Sequence, residues 1–180
     1  MEQRNVILRA DVVLLYILLL SYISYTMAAG NFHVITQGKA YRSAQLEQRQ
    51  LQYYINNYGI RSILNLRGQN PRAAWYETEV RFSGLHNIAH YDIALSSARE
   101  PTARELNELM RIFAEAPRPI LIHCWSGSDR SGLVAAMWKV VVEKEPKAKA
   151  HRQLSILYGH LPFGDAAVLD RFFEKWSPAN

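Results

Sequence analysis

Cys124 and Arg130 stand six residues apart in the run His123-Cys124-Trp125-Ser126-Gly127-Ser128-Asp129-Arg130-Ser131. A thiolate is a strong nucleophile, and a guanidinium can grip two oxygens of one oxyanion with parallel N–H bonds. The loop between them is short and small-residue-rich, so its backbone N–H groups can converge on one point, with the dipole of a following helix adding positive potential. Gly127 allows close backbone approach or positive φ within the turn. The pattern therefore describes an anion site with a nucleophile at its base. The matching chemistry is attack on phosphorus by Cys124, a phosphocysteine intermediate, and hydrolysis by water. Trp125, Ser126, Gly127, Ser128, Asp129, Arg130 and Ser131 are the expected phosphate-binding positions, with Ser131 placed to donate to the departing thiolate and His123 to orient the loop. A lone cysteine after an apolar strand is more often a small core residue, and only these neighbours argue otherwise.

Such a loop needs a strand before it and a helix after it. Pro119-Ile120-Leu121-Ile122 is a continuous apolar run of the kind a central parallel strand covered on both faces requires, and Gly132 to Glu143 follows as an apolar helix. Upstream, Phe32 to Tyr41 reads as an opening strand or hairpin and Leu46 to Asn57 as a helix stopped by Gly59. Ile60 to Leu66 is a β-rich run, and Arg67 to Pro71 a turn cluster. Arg72 to Phe82 reads as a helix with Trp75 and Val80 inward, His86 to Leu95 as a strand, and Pro101-Thr102 as the start of a helix with Leu106, Leu109, Met110 and Phe113 on one face. Helices over Ala148 to Tyr158 and Asp165 to Trp176 close the chain. Strands alternating with helices imply a single α/β domain, with a mostly parallel central sheet flanked by helices. Ligands in such folds bind beyond the carboxyl ends of the strands, where residues 123 to 131 fall.

The 180 residues allow one domain, and 49% hydrophobic with 21% charged residues is globular composition. The net charge of +5 comes without a basic run or basic helix face, which speaks against a nucleic-acid partner. One cysteine excludes an intramolecular disulfide. Arg4 and Arg9, the apolar run Val12 to Ile23, and Thr26-Met27-Ala28-Ala29 give the basic, apolar, small order of a secretory signal. Residues 1–29 are accordingly expected to be a signal peptide cleaved near Ala28 or Ala29, releasing a periplasmic or otherwise exported domain of residues 30–180. An uncleaved anchor in the inner membrane, with membrane association through residues 12–29, is the alternative, since Val12 to Ala29 is at the lower length limit for a span.

His-Cys-x5-Arg-Ser resembles the protein tyrosine and dual-specificity phosphatases, and the fuller His-Cys-x-x-Gly-x-Asp-Arg-Ser-Gly is similar to their small bacterial branch, several members of which are exported. Tyr41-Arg42-Ser43-Ala44-Gln45, Leu64-Asn65-Leu66-Arg67 and Tyr158-Gly159-His160 extend the resemblance over about residues 32 to 176. It implies a phosphatase that needs no cofactor or metal and acts on phosphotyrosine, with phosphoserine or phosphothreonine open, in a phosphorylated protein partner. Loops that serve inositol lipids or inositol polyphosphates tend to carry bases between the cysteine and the arginine. Here those five positions hold no base and one acid, which favours a singly phosphorylated group. A non-catalytic phosphate-binding module is a further alternative.

Relatives commonly take the leaving-group proton from an Asp on a loop upstream of the cysteine. The matching stretch, Tyr91 to Glu100, holds Ser96 or Ser97 in the expected slot; Asp92, its only Asp, is the chosen general acid over Glu100 and Asp129. His86 and His90, four apart in a strand and with no carboxylate or thiol partner expected nearby, are expected to take surface or packing roles rather than bind metal. Arg42 and Arg67 could line the cleft, with surface or ion-pair roles as plausible.

Overall fold

The computed structural model describes residues 2–178, with the side chains of residues 1–10 and 19, Arg4 and Arg9 among them, outside that description. A long helix, α1 (Glu2–Ala28), precedes an antiparallel hairpin of β1 (His33–Thr36) and β2 (Ala40–Ser43). Then come α2 (Gln48–Tyr58), β3 (Ser62–Asn65), α3 (Ala74–Leu85), β4 (Ala89–Asp92), α4 (Ala103–Glu115), β5 (Ile120–His123), α5 (Asp129–Val141), the single turn α6 (Lys147–Ala150) and α7 (Ala167–Lys175). The five strands pair in the order β1-β2-β5-β3-β4, and every pairing except β1–β2 is parallel. This is the expected mostly parallel sheet.

β5 lies in the middle, with all four of its residues buried. Because side chains alternate across a strand, Ile120 and Ile122 face one layer and Leu121 the other. Leu64, Ile120 and Ile122 pack with Leu109, Ile112 and Phe113 of α4, Leu133 to Trp138 of α5, and Phe173 of α7. Tyr41, Ile63 and Leu121 pack with Leu51, Tyr54 and Ile55 of α2 and Phe82 of α3. A helix buried between sheet and neighbours needs apolar residues nearly all round, which α5 has from Leu133 to Trp138. α4 faces water on its outer side and is started by a reciprocal Thr102–Glu105 capping box, worth about 1 kcal/mol.

Several expected elements differ. α3 turns Tyr76, Glu79, Phe82 and Ser83 inward, leaving Val80 exposed, because the burying face follows the 3–4 spacing of those four residues. The expected strand over His86–Leu95 shrinks to Ala89–Asp92, with His86 capping the end of α3. The expected helix over 148–158 is one turn of α-helix followed by two 3-10 turns, and Gly159 leaves them with φ +81°. α5 begins at Asp129, three residues earlier than expected, so Arg130 and Ser131 belong to its first turn.

Candidate active site

β5 delivers Cys124 to the carboxyl edge of the sheet, where it is buried and its Sγ lies 3.5 Å from Ser131 Oγ. The loop beyond it is held from behind. Gln45 N–H donates to the carbonyl of Trp125, Asn31 Nδ2 to that of Ser126, and Arg42 Nη2 to those of Gly127 and Ser128, at 2.8–3.1 Å. In a planar trans peptide the N–H points opposite to the C=O. Four consecutive carbonyls turned outward therefore aim the N–H groups of Ser126, Gly127, Ser128 and Asp129 to the other side of the loop, an arrangement able to receive an anion.

The backbone must pass close to β2 to be held in this way. Gly127 has φ +76°, and a Cβ there would stand 2.6 Å from Ala44 N and 2.7 Å from the Ser43 carbonyl carbon. Only glycine meets both demands. Arg42, treated in the sequence as a cleft or surface residue, is instead wholly buried; its Nη1 also donates to the Gln153 carbonyl at 2.7 Å, and its guanidinium lies over the Tyr158 ring. Burial lowers its pKa to about 10, partly offset by Cys124, Tyr158 and Asp129 nearby.

Arg130 Nη1 donates to the carbonyls of Leu66 and Leu95, which places its guanidinium beyond the ends of β3 and β4. Arg67 stacks between Trp75, 3.6 Å from its ring centre, and Trp125, 4.7 Å away. Its pKa is lowered by burial and by the charge of Arg130, as expected for two cations crowding a place meant for an anion. Asp129 turns away from the thiol. Its carboxylate accepts from His160 Nδ1 at 2.8 Å, while His160 Nε2 meets Asp170 at 2.8 Å. Burial opposes a charge on His160, but these two carboxylates outweigh it and raise its pKa. The pair thereby pins the start of α5 to α7.

His123 is buried behind the cysteine, its Nε2 3.0 Å from Glu79 Oε1, and the same oxygen meets His90 Nε2 at 2.9 Å. Sequence reasoning missed Glu79. Its signal was available, since it falls on the inward face of α3 with Tyr76 and Ser83, but an acid on a helix normally faces water. His90 thus has carboxylate partners, Glu79 and, at 3.6 Å, Asp92, where none was expected, while His86 stacks on Phe82.

Asp92 is not brought to the cradle. It pairs in register with Asn65, which pairs with His123, so it stands two strands away from the cysteine strand, roughly 10 Å. Oδ1 accepts from Asn65 Nδ2 at 2.8 Å and Oδ2 from Tyr76 Oη at 2.7 Å. Although burial favours protonation, hydrogen bonds from His90, Tyr76 and Asn65 hold the carboxyl below its ordinary range. These bonds favour the carboxylate over the protonated acid. The sequence position of Asp92 says nothing of these partners across β3 and α3. Glu100 pairs with Lys175 at 2.7 Å, and Ser96 Oγ accepts from Ala98 N.

Beside the loop, a cleft of about 680 Å³ is lined by Trp75, Trp125, Ser126 and Ser128, by Ile156 to Gly159, and by Tyr22, Ile23, Thr26 and Met27 of α1. Asn31 closes its floor by bridging the carbonyls of Ser126 and Tyr158.

The family model described as DSP-PTPase phosphatase fused to NAD+ kinase matches residues 27–160. The fold is similar to the crystal structure of TpbA from P. aeruginosa, with a TM-score of 0.63 and 21% identity over 83% of this chain and 87% of that one. It is similar, too, to the core catalytic domain of the PP-IP phosphatase SIW14 from S. cerevisiae, with a TM-score of 0.65 and 23% identity over 82% of this chain and 85% of that one. Tk-PTP in its active form gives a TM-score of 0.60 at 16% identity, over 81% of this chain and 98% of that one.

Proposed function

The chain belongs to the dual-specificity and protein-tyrosine phosphatase superfamily, through the DSP-PTPase family that its residues 27–160 match, and from that premise we propose that it hydrolyses phosphotyrosine in proteins through a phosphocysteine intermediate. It is a cysteine-based phosphatase; the substrate and the residue roles are our reading. The observation that carries the reading is the set of four outward carbonyls from Trp125 to Ser128, which turns the intervening N–H groups toward one anion. In this mechanism the Cys124 thiolate attacks phosphorus, Arg130 and the loop N–H groups hold the equatorial oxygens, and the ester oxygen leaves as the P–O bond breaks, taking a proton from water. Water then cleaves the S–P bond, and Ser131, 3.5 Å from the sulfur, donates to the departing thiolate.

A PP-IP phosphatase among the structural neighbours raises the inositol reading again. The five positions between Cys124 and Arg130 hold no base, and the extra cation near the site, Arg67, is stacked between two indoles. Flat aromatic surfaces beside a single-phosphate cradle suit an aryl phosphate better than a ring bearing several phosphates. The test is hydrolysis of phosphotyrosine peptides, phosphoserine peptides, inositol phosphates and p-nitrophenyl phosphate by the full chain, with Cys124→Ser as control. Phosphotyrosine is expected to be preferred, with all turnover lost in the variant. A preference for inositol phosphates would overturn the substrate, and turnover retained by Cys124→Ser the mechanism.

We propose further that residues 1–29 stay attached as a membrane anchor of an exported domain, the alternative of the two sequence expectations. Support comes from the end of α1. Asn31 N–H bonds back to the Thr26 carbonyl, and the carbonyls of Ala28 and Ala29 accept from Gln50 and Tyr54 of α2. Cleavage near Ala28 or Ala29 would cut through a helix cap that is bonded to the domain. Intact-mass measurement on protein extracted from membranes tests this; a mature N-terminus near Gly30 would restore the signal peptide.

A further inference from the structure

The stretch Asp11–Ala28 of α1 is long and apolar enough to cross a membrane, and none of it is buried in the protein. Its 18 residues rise about 27 Å at 1.5 Å each, slightly less than the roughly 30 Å of a bilayer's hydrocarbon core. Upstream, Val6 to Leu8 are set between Arg4 and Arg9, and downstream only Ala29 to Phe32 precede β1, so no stalk remains on the domain side. A bilayer that takes up this helix must therefore receive it through to its last turns.

Those last turns are the ones that touch the domain. Tyr22, Ile23, Thr26 and Met27 line the same cleft as Trp125, Ile156 and Leu157, and Tyr22 Oη donates to the Leu157 carbonyl at 2.8 Å. The cap locks this arrangement, with Gly30 at φ +64° and Asn31 tying the helix end to the cysteine loop through the Ser126 carbonyl. Around the cleft, Trp125, Ile156 and Leu157 are 64%, 70% and 63% exposed, unusual for apolar residues grouped at one place. Tyr and Trp are the side chains that settle at the headgroup level of membranes, and Tyr22 and Trp125 both line this cleft.

We propose that the rim of the cysteine loop is a membrane-docking surface: Trp125, Ile156 and Leu157 enter the interfacial layer of the bilayer that holds α1. The helix sets both the occupant and the depth, because its apolar stretch is too short to leave the rim in water. The phosphatase would then meet phosphate esters carried within a few ångströms of the membrane surface and would discriminate against those free in solution. This inference rests on α1 being retained and is independent of which ester is cleaved.

The test uses the full chain in nanodiscs whose acyl chains are brominated near the headgroup, in a Trp75→Phe/Trp176→Phe background that leaves Trp125 at the rim and Trp138 in the core. Loss of tryptophan emission relative to unbrominated discs is expected, disappearing when Trp125→Phe is added and shrinking with Ile156→Ser/Leu157→Ser. Unquenched Trp125 emission in discs that demonstrably hold α1 would overturn the proposal. So would a concentration-dependent blue shift in detergent without quenching in discs, which would assign the rim to a second copy of the chain. Loss of residues 1–29 by intact mass would remove its premise. Cys124-dependent hydrolysis of p-nitrophenyl phosphate, measured on the same samples, reports on the phosphatase reading separately.

Discussion

The cysteine loop has a back and a rim, and the two are built on opposite principles. Behind the loop, Arg42, Gln45, Asn31 and His160 meet carbonyls and carboxylates with directional bonds, in a space so tight that a single Cβ at position 127 has no room. At the rim, the side chains of Trp125, Ile156 and Leu157 offer exposed apolar surface, with Trp125 stacked on Arg67. Directional bonds fix the orientation of peptide groups, and peptide orientation is what an oxyanion reads. Apolar surface fixes no direction and decides only what may approach. Substitutions behind the loop should thus change chemistry and stability together, whereas those at the rim should change access and docking.

The largest effect should come from Gly127→Ala. Positive φ and contacts under 3 Å with β2 backbone would push the loop outward, and misplacing a catalytic group by about 1 Å costs on the order of a hundredfold. Steady-state kinetics with p-nitrophenyl phosphate reads this directly, and near-normal kcat/KM would break the claim that the back of the loop sets the chemistry. Arg42→Met should come next. It would strand the buried carbonyls of Gly127, Ser128 and Gln153, lowering unfolding stability by about 3 kcal/mol and turnover with it. A fall in stability without a fall in kcat would show that Arg42 supports the fold and leaves the cradle's aim to others.

The pH response extends the same contrast. Burial opposes charge on His90, but hydrogen bonds to Asp92 and Glu79 raise its pKa from 6.5 to about 9, so the folded state holds a proton that the unfolded chain releases above 6.5. This stabilisation is complete below pH 6.5 and is lost as pH rises through about 9. Denaturant titrations between those limits should show falling stability, a slope that His90→Gln flattens; an unchanged slope would sink the assignment. Asp92→Asn should affect catalysis less than tenfold for both poor and activated leaving groups, against the hundredfold or more of a lost general acid. A large loss confined to poor leaving groups would return Asp92 to the chemistry. The smallest effect belongs to the rim: Leu157→Ser should alter stability by under about 0.5 kcal/mol, as calorimetry can check.

Local order in the sequence was enough for part of this protein. The apolar run Ile120 to Ile122, followed by small residues and then an apolar stretch, could only be a buried strand turning into a buried helix, so Cys124, Gly127 and Arg130 were placed in a strand-loop-helix unit by chain order alone. Their relation is local, spanning seven residues, and local relations survive in sequence. The alternation of strands and helices gave the parallel sheet for the same reason. What only the tertiary structure decided are the pairings between residues far apart in the chain: Arg42 with the Gly127 carbonyl, Asn31 with Ser126, Glu79 with His123, Asp129 with His160. Arg42 was open to cleft, surface or ion-pair roles and Glu79 was not singled out, because charged side chains usually face water and a buried charge is tolerated only where partners converge on it. Asp92 looked free to donate a proton, yet Asn65 and Tyr76, 27 and 16 positions upstream, hold it as a carboxylate. A pattern along the chain records which residues are neighbours in sequence; hydrogen bonds at 3 Å depend on the neighbours that folding supplies.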